Sequence, residues 1–156
     1  MSTDARILIR PATSSDRDTL KQLARRLADF ELPPWRTAHD IADADARAMI
    51  AAVAASRKDD QVFIAERSGR EVGCLHILAT TDFFGRRHAH LSVIATSAEA
   101  AGSGVGRALM EFAEAWSRER GLTMLTLNVF ANNARARRFY ERNGMTQEVL
   151  KYVKEL

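Results

Sequence analysis

The sequence contains little cysteine and proline and has no long apolar run. A single cysteine, Cys74, occurs among 156 residues, together with three prolines and 7% aromatic residues. One thiol cannot form an internal disulfide, and this favours a reducing, intracellular setting. No stretch reaches the roughly 18 apolar residues of a membrane span. Charged residues interrupt every apolar run near the start, which excludes the pattern of a secretory signal. We expect a cytoplasmic protein with Cys74 in its core.

The charges are nearly balanced. Lys and Arg number 23 and Asp and Glu 20, which gives a formal net charge of +3. This balance does not indicate a nucleic-acid partner, because such a domain usually has a basic excess. A chain of this size buries about 70% of its unfolded surface and needs no metal or disulfide to form a core. We therefore expect residues 1–156 to form one domain, without nucleic acid or membrane as a partner.

Hydrophobic periodicity predicts a mixture of strands and helices. Short apolar or alternating runs predict strands at 7–9, 62–65, 72–79, 88–95, 122–129 and 146–153. Helical spacing predicts helices from the capping signal at 13–16 to residue 30, and over 40–56, 104–120 and 133–142. Hairpins supply antiparallel pairs, and the strand–helix–strand unit from 88 to 129 supplies a parallel pair. The predicted fold is α/β, a mixed, mostly antiparallel sheet flanked by helices on both faces.

A glycine-rich loop lies between the fourth predicted strand and the helix after it. It reads Gly102-Ser103-Gly104-Val105-Gly106. Glycines allow a tight turn and a close ligand, and the free N–H groups at the helix start attract an anion, which we expect to be a phosphate. A dinucleotide fingerprint needs a glycine where Arg107 stands, and a nucleotide-triphosphate loop needs Gly-Lys-Ser/Thr, which is absent. A glycine turn without a ligand is the remaining alternative.

A second motif follows about thirty residues later. An Asn begins a helix and a Tyr follows two turns later on a similar face, within the run Asn133, Ala136, Phe139, Tyr140, Glu141, Asn143, Gly144 and Met145. With the glycine loop and the opening Ile9-Arg10-Pro11-Ala12, this pattern resembles the GNAT superfamily of N-acetyltransferases over nearly the whole chain. Two departures are Ala101, where that family has Arg or Gln, and Thr96, where it often has Val.

The resemblance implies transfer of an acetyl group from acetyl-CoA, the co-substrate, to a primary amine by direct attack in a ternary complex, with no metal. The parallel strand–helix–strand unit would bind the coenzyme through Ile94, Ala95, Thr96, Ala101, Gly102, Ser103, Gly104, Val105, Gly106 and Arg107, joined by Asn133 as a coenzyme contact or a helix cap. Because Ala101 lacks a basic or amide side chain, we expect weaker coenzyme binding. The acceptor is a small-molecule amine or a protein amino group, and a homodimer is left open.

Two residues are candidates for proton transfer. Tyr140 is protonated at neutral pH and would protonate the coenzyme A thiolate; the alternative is a packed ring with its hydroxyl bonded to backbone. His90 is the candidate base, because His88, His90 and Ser92 alternate to one face of their strand and an imidazole titrates near neutral pH. The alternatives are a structural His90 with Glu99 or Glu31 as the base, and a three-histidine metal site that includes His76.

Two further groups of residues border the expected site. A basic run on the last helix lies where a ribose 3′-phosphate needs a cation, and otherwise forms a solvated helix face: Arg135, Arg137, Arg138 and Arg142. Residues 30–35 and 82–84 are expected on the acceptor side. The competing function is a non-catalytic coenzyme A-binding or partner-binding domain of the same fold, for which binding without turnover is the distinguishing result.

Overall fold

The computed structural model describes residues 5–156. Its strands are β1 (Ile7–Pro11), β2 (Asp60–Arg67), β3 (Arg70–Thr81), β4 (Arg87–Thr96) and β5 (Leu125–Leu127). Its helices are α1 (Arg17–Ala24), α2 (Ala38–Ala55), α3 (Val105–Glu119) and α4 (Ala134–Arg142), with 3-10 turns at Ser14–Asp16 and Arg25–Ala28. The strands form one sheet in chain order, antiparallel throughout except for the parallel pair β4–β5. The predicted α/β fold around a mixed, mostly antiparallel sheet is confirmed.

Helices cover both faces of the sheet. On one face, the apolar stripe of α3, including Leu109, packs against Leu75 and its neighbours. On the other face, Leu20 of α1 and Met49 of α2 pack against Cys74 and its neighbours. Cys74 is fully buried, as predicted. Within residues 5–156, no helix combines the length and the apolar character needed to cross a membrane.

A buried carboxylate joins β1 to the start of α1. Asp16 is 5% exposed and accepts hydrogen bonds from both terminal nitrogens of Arg10, at 2.8 and 2.9 Å, and from the Thr13 N–H at 2.7 Å. Arg10 also donates from Nε to Glu66 of β2 at 2.7 Å. The bonds from Arg10 lower the pKa of Asp16 below its ordinary value. The predicted capping signal is therefore present, and it also anchors the helix start to two strands.

Three predicted elements differ from the structure. The first helix ends at Ala24 and continues only as a 3-10 turn, a common tightening at a helix end. The strand expected over 122–129 is limited to Leu125–Leu127, because the Leu122 N–H donates to the Ser117 carbonyl at 3.0 Å and so belongs to the end of α3. The strand expected over 146–153 is wrong: residues 146–156 are exposed and form no backbone hydrogen bond within residues 5–156.

A β-bulge interrupts β4 at Ser92. His76 of β3 pairs with Val93 and Ile77 pairs with Leu91, which leaves Ser92 without a partner on β3. The extra residue reverses the alternation of side chains, so Leu91 faces α3 whereas Val93 faces α1 and α2. The predicted alternation of His88, His90 and Ser92 is therefore regular at the two histidines and interrupted by the bulge at Ser92. A period of two in the sequence does not reveal a bulge.

Candidate active site

The parallel strands β4 and β5 separate at the bulge. Their pairing ends at Leu91 and Leu127, but β4 continues to Thr96. The residues expected to contact the coenzyme here, Ile94, Ala95 and Thr96, pair with β3 on one side. On their β5 side they have no strand partner in the part of the chain that the structure describes. The sheet therefore has main-chain groups without a strand partner along the opening between β4 and β5, although the Thr96 carbonyl accepts a hydrogen bond from Nε of Arg26 at 3.1 Å.

The glycine loop leads from this opening into α3. Gly102 and Gly104 have φ of +74° and +87°, a region that residues with side chains rarely adopt. Gly104 is the N-cap of α3, and the N–H groups of residues 104–107 donate to no acceptor within residues 5–156. A Cβ added at Gly102 or Gly104 would meet nothing within 4 Å. The loop is thus open to solvent at a positive helix end with unused donors, which suits a phosphate.

Gly106 serves packing as well as the loop. A Cβ added there would lie 3.1 Å from Cζ of Phe139, so the missing side chain lets α4 approach the first turn of α3. Gly73 of β3 allows an equally close contact on the other side, since its Cβ would lie 2.8 Å from the Ala95 carbonyl and 3.0 Å from Val105. These two glycines set how closely the first turn of α3 lies against α4 and the sheet.

Arg67 at the end of β2 holds the glycine loop. Its guanidinium donates to Ser103 twice, to Oγ at 2.9 Å and to the carbonyl at 2.8 Å. Sequence analysis missed this residue, because the loop itself has Ala101 where a basic or amide side chain was expected. Only sheet topology could have indicated it: β2 and β4 both pair antiparallel with β3, so their last residues lie at the same end of the sheet. A cation therefore lies beside the loop despite Ala101.

Tyr140 of α4 lies on the α3 side of the sheet. Its ring packs at the edge of the α3 core, 5.4 Å from the Phe139 ring in a T-shaped arrangement. Its hydroxyl bonds to no group within residues 5–156, and so the alternative of a hydroxyl bonded to backbone is not what the structure shows. Burial raises the pKa of Tyr140 to about 12. The phenol therefore stays protonated at neutral pH and is a proton donor.

His90 faces the opposite side of the sheet, toward α1 and α2. Its Nδ1 lies 2.8 Å from Oγ1 of Thr126, the residue opposite it on β5, and that hydroxyl lies 3.5 Å from the Ala89 carbonyl. If the hydroxyl donates to the carbonyl, it accepts from His90 Nδ1–H, which leaves Nε2 as the basic nitrogen. Burial, and then the nearby His88 and His76, lower the pKa of His90. The imidazole is therefore neutral at physiological pH and can accept a proton.

The other candidate bases and the histidine cluster have different surroundings. Glu99 and Glu31 are exposed, and the structure brings neither to His90 or Tyr140 by a hydrogen bond within residues 5–156. His76 is buried, with Nε2 2.7 Å from Asp60 and a buried Nδ1 that has no partner in the same range. Among residues 5–156, no group of three or more His, Cys, Asp or Glu side chains is arranged to hold a metal ion.

Two loops meet on the α1–α2 side of the opening. The Phe30 ring lies 5.5 Å from the Phe130 ring, and Asn132 donates to the Glu31 carbonyl at 3.2 Å. The segment after α1 thus borders the connection from β5 to α4, and its place on the acceptor side stays a prediction. Phe83 and Phe84, in contrast, are 97% and 87% exposed at the tip between β3 and β4.

The remaining predicted side chains either have structural contacts or are exposed. Asn133 caps α4, since its side chain accepts from the Ala136 N–H at 3.1 Å. Arg107 pairs with Glu111 at 3.0 Å on the exposed face of α3. Arg137 donates to the Ala131 carbonyl at 3.2 Å, and Arg135, Arg138 and Arg142 are exposed. The basic run therefore forms mostly a solvated face of α4.

The comparisons with known proteins agree with this architecture. Residues 20–145 match the sequence profile of the Acetyltransferase (GNAT) family. The match spans most of the chain, and the chain therefore belongs to this family of acetyltransferases. No curated protein sequence matches it.

Solved structures of acetyltransferases share the fold. A putative acetyl transferase from Pyrococcus furiosus is 22% identical with a TM-score of 0.74, covering 97% of this chain and 100% of that one. The ribosomal-protein-alanine N-acetyltransferase from Brucella melitensis biovar Abortus 2308 is 18% identical with a TM-score of 0.69, over 97% and 100%. The aminoglycoside N-acetyltransferase AAC(6′)-Iy, in complex with CoA, is 17% identical with a TM-score of 0.71, over 100% and 99%. At these identities the likeness concerns the fold.

Proposed function

We propose that this protein transfers an acetyl group from acetyl-CoA to a primary amine by direct attack in a ternary complex. The observation that carries the proposal is the row of unused N–H groups at residues 104–107, which adjoins the open edge of β4. Proton-transfer groups suited to the reaction lie on the two sides of that opening: Tyr140 on the α3 side and His90 on the α1–α2 side.

Main-chain donors and one arginine fit the phosphates of the coenzyme. The amides of residues 104–107 are donors whatever their side chains, and the helix end supplies positive potential. Arg67 adds a guanidinium next to Ser103 and substitutes for the basic side chain that Ala101 lacks. AAC(6′)-Iy, which shares this fold, was solved in complex with CoA. The free edge of β4 at residues 94–96 would receive the rest of the coenzyme and polarise the thioester carbonyl.

His90 is suited to take the proton that the amine must lose. A primary ammonium has an ordinary pKa near 10, so it needs a base before its nitrogen can attack. Nε2 of His90 is neutral at physiological pH because the pKa of the imidazole is lowered. The ammonium first gives one proton to Nε2, directly or through one water molecule, and His90 releases it to solvent. The neutral nitrogen then forms a bond to the carbonyl carbon of the thioester, and its second proton passes to His90 as the carbon–sulfur bond breaks and the amide forms.

Tyr140 is suited to protonate the leaving group. When the carbon–sulfur bond breaks, the electron pair stays on sulfur, and the phenol proton passes to the thiolate. The tyrosinate then regains a proton from solvent. With a pKa of about 12, the phenol of Tyr140 is protonated throughout the pH range of an ordinary assay. A well-placed acid of this kind accelerates such a step by roughly 10²–10⁴.

The test is release of free coenzyme A thiol from acetyl-CoA with a panel of primary amines. The panel holds an aminoglycoside, a polyamine, free amino acids and a peptide with a free N-terminus. Reactions without the amine are the background control, and acetyl-CoA binding is measured in parallel by calorimetry. Thiol release that depends on one amine class supports the proposal. Binding without turnover by any amine identifies the non-catalytic coenzyme-binding alternative, and absence of binding refutes both.

A further inference from the structure

The turn between β3 and β4 exposes two phenylalanine rings side by side. Phe83 and Phe84 are 97% and 87% exposed, and their ring centroids lie 5.7 Å apart in a T-shaped arrangement. One phenylalanine can bury about 150–250 Å², so the pair reaches the size at which an exposed apolar patch usually marks a contact site. We call residues 82–87 the aromatic tip.

The turn keeps its shape without help from the two rings. One carboxylate oxygen of Asp82 accepts hydrogen bonds from the N–H groups of Phe84 and Arg86, both at 2.9 Å. The Asp82 N–H donates to the Arg86 carbonyl at 3.0 Å, and the Gly85 N–H donates to the Asp82 carbonyl at 3.0 Å. A fixed turn therefore presents the rings to solvent, and their replacement should leave the hairpin intact.

Three exposed cations without a carboxylate partner lie at this end of the sheet. Arg86 belongs to the aromatic tip itself, and Arg57 and Lys58 lie in the loop before β2. The next residue of that loop, Asp59, pairs with Arg87 of the tip at 2.9 Å, so the loop lies beside the tip. Arg57, Lys58 and Arg86 form no ion pair within residues 5–156.

The carboxylates of the same two segments already have partners. Asp59 is shared between Arg87 and Arg120, with Arg120 at 3.8 Å. Asp60 lies 2.7 Å from Nε2 of His76, and Asp82 accepts the hydrogen bonds of the turn. The rings therefore stand beside cations that no carboxylate of the loop or the tip neutralises. Apolar side chains next to unpaired cations are the combination that binds an anionic lipid surface.

We propose that the aromatic tip docks this protein on an anionic lipid surface. The two rings enter the headgroup region, and the unpaired cations contact lipid phosphates. A protruding apolar pair suits a soft surface that yields around it, whereas a protein partner would have to offer a pocket of matching shape. Attachment of this kind needs no spanning segment, so the absence of a long apolar run does not oppose it.

Docking through the aromatic tip leaves the coenzyme site open. The tip adjoins the start of β4, and the glycine loop follows its end. A strand of this length separates them by roughly 30 Å. The proposal therefore does not depend on the proposed acetyl transfer, and the two can be tested separately.

The test is co-sedimentation of the intact protein with vesicles of phosphatidylcholine, prepared with and without phosphatidylglycerol. The anionic vesicles should bind the protein reversibly at about 1 mM lipid, and less at high salt. Phe83→Ser combined with Phe84→Ser should lower the partition coefficient at least tenfold, whereas leucine at both positions should retain most of it. Leu8→Ser is the matched control: Leu8 is 56% exposed on the edge strand β1, and its replacement should change nothing.

A second pair of variants tests the cations. Each cation near an anionic surface contributes about fivefold to binding, so Arg57→Gln and Lys58→Gln should each weaken binding by about that factor. Arg70→Gln is the control, because Arg70 is exposed at the other end of β3. Equal losses in Arg70→Gln and Lys58→Gln overturn the assignment of the cations near the tip, as does equal binding to both kinds of vesicle.

Other outcomes overturn the docking role of the rings. A wild-type protein that stays in solution with anionic vesicles does so, and so does binding that survives the double serine substitution. A mass in light scattering that falls with the serine substitutions, without vesicle binding, assigns the tip to a second copy instead. Circular dichroism shows whether the serine variant is folded. Phe84→Trp gives an independent readout: its fluorescence should shift to shorter wavelength with anionic vesicles, and an unshifted spectrum contradicts insertion.

Discussion

The phosphate role of the glycine loop can be tested by one charge at Gly104. Both Gly104→Asp and Gly104→Asn place a side chain of the same shape at φ +87°, where nothing lies within 4 Å of the new Cβ. Asn and Asp tolerate this backbone region better than other residues. The two variants therefore share the same strain and bulk, and they differ only in a negative charge beside the free N–H groups.

The expected effect on binding follows from Coulomb's law. A unit charge about 4 Å from a phosphate oxygen costs ~1 kcal/mol in water and ~4 kcal/mol at the dielectric of a protein surface. Since ~1.4 kcal/mol is tenfold, the value at the protein surface predicts that the Asp variant binds acetyl-CoA well over tenfold more weakly than the Asn variant, and the value in water predicts about fivefold. Stability should move the other way, because a carboxylate near a helix N-terminus stabilises by ~0.3–1 kcal/mol.

Calorimetric titration with acetyl-CoA and thermal unfolding of the free proteins measure both quantities. The difference in affinity between the variants should shrink as salt rises from about 0.05 to 0.5 M, since the loop is exposed and its charges are screened. Equal affinity of the Asp and Asn variants at low salt would refute the reasoning and place the phosphates elsewhere. A binding loss shared by both variants would instead point to strain in the loop.

Four further predictions follow from the structure. Acetyl-CoA should raise the melting temperature whereas NAD and ATP should not; equal stabilisation by ATP contradicts a coenzyme A site. Tyr140→Phe should lower single-turnover acetyl transfer by roughly 10²–10⁴ with little change in acetyl-CoA affinity, and full activity removes Tyr140 from the mechanism. Arg67→Met should weaken acetyl-CoA binding about tenfold, with the exposed Arg70→Met as its control; equal losses in both deny Arg67 a special role. Asp16→Asn should lower the free energy of unfolding by ~2 kcal/mol near neutral pH, measured through the melting temperature. Because the pKa of Asp16 is lowered in the folded state, the stabilisation by its carboxylate is complete above about pH 4 and is lost as pH falls through the folded-state pKa. A stability difference that does not shrink as pH falls below about 4 would rule this out.

The pH dependence of the reaction tests His90 separately. Because the pKa of His90 is lowered, activity should stay high down to a pH below 6.5 and fall only as Nε2 becomes protonated. His90→Gln should remove this acid limb along with most of the rate. Tyr140 should add no basic limb below its pKa of about 12. An unchanged acid limb in His90→Gln would show that another group is the base.

Local sequence signals determined most of the elements and the position of the candidate anion site. The hairpin of β2 and β3, the cap at Thr13 to Asp16, and the glycines before α3 depend on neighbours a few residues apart. Glycine at positive φ and a helix with unused N–H groups need only that local context. Tyr140 and Asn133 were likewise located by their spacing on one short helix.

The tertiary structure decided whatever depends on distant partners. The bulge at Ser92 and the separation of β4 from β5 arise from register, which hydrophobic alternation does not specify. Arg67 reaches Ser103 across 36 positions because sheet order brings two strand ends together. The strand expected over 146–153 shows the same limit: alternation favours an extended chain, but a strand also needs hydrogen bonds to a neighbouring strand, and within residues 5–156 this segment forms none. Propensity and capping are local properties, whereas pairing is a property of the assembled sheet.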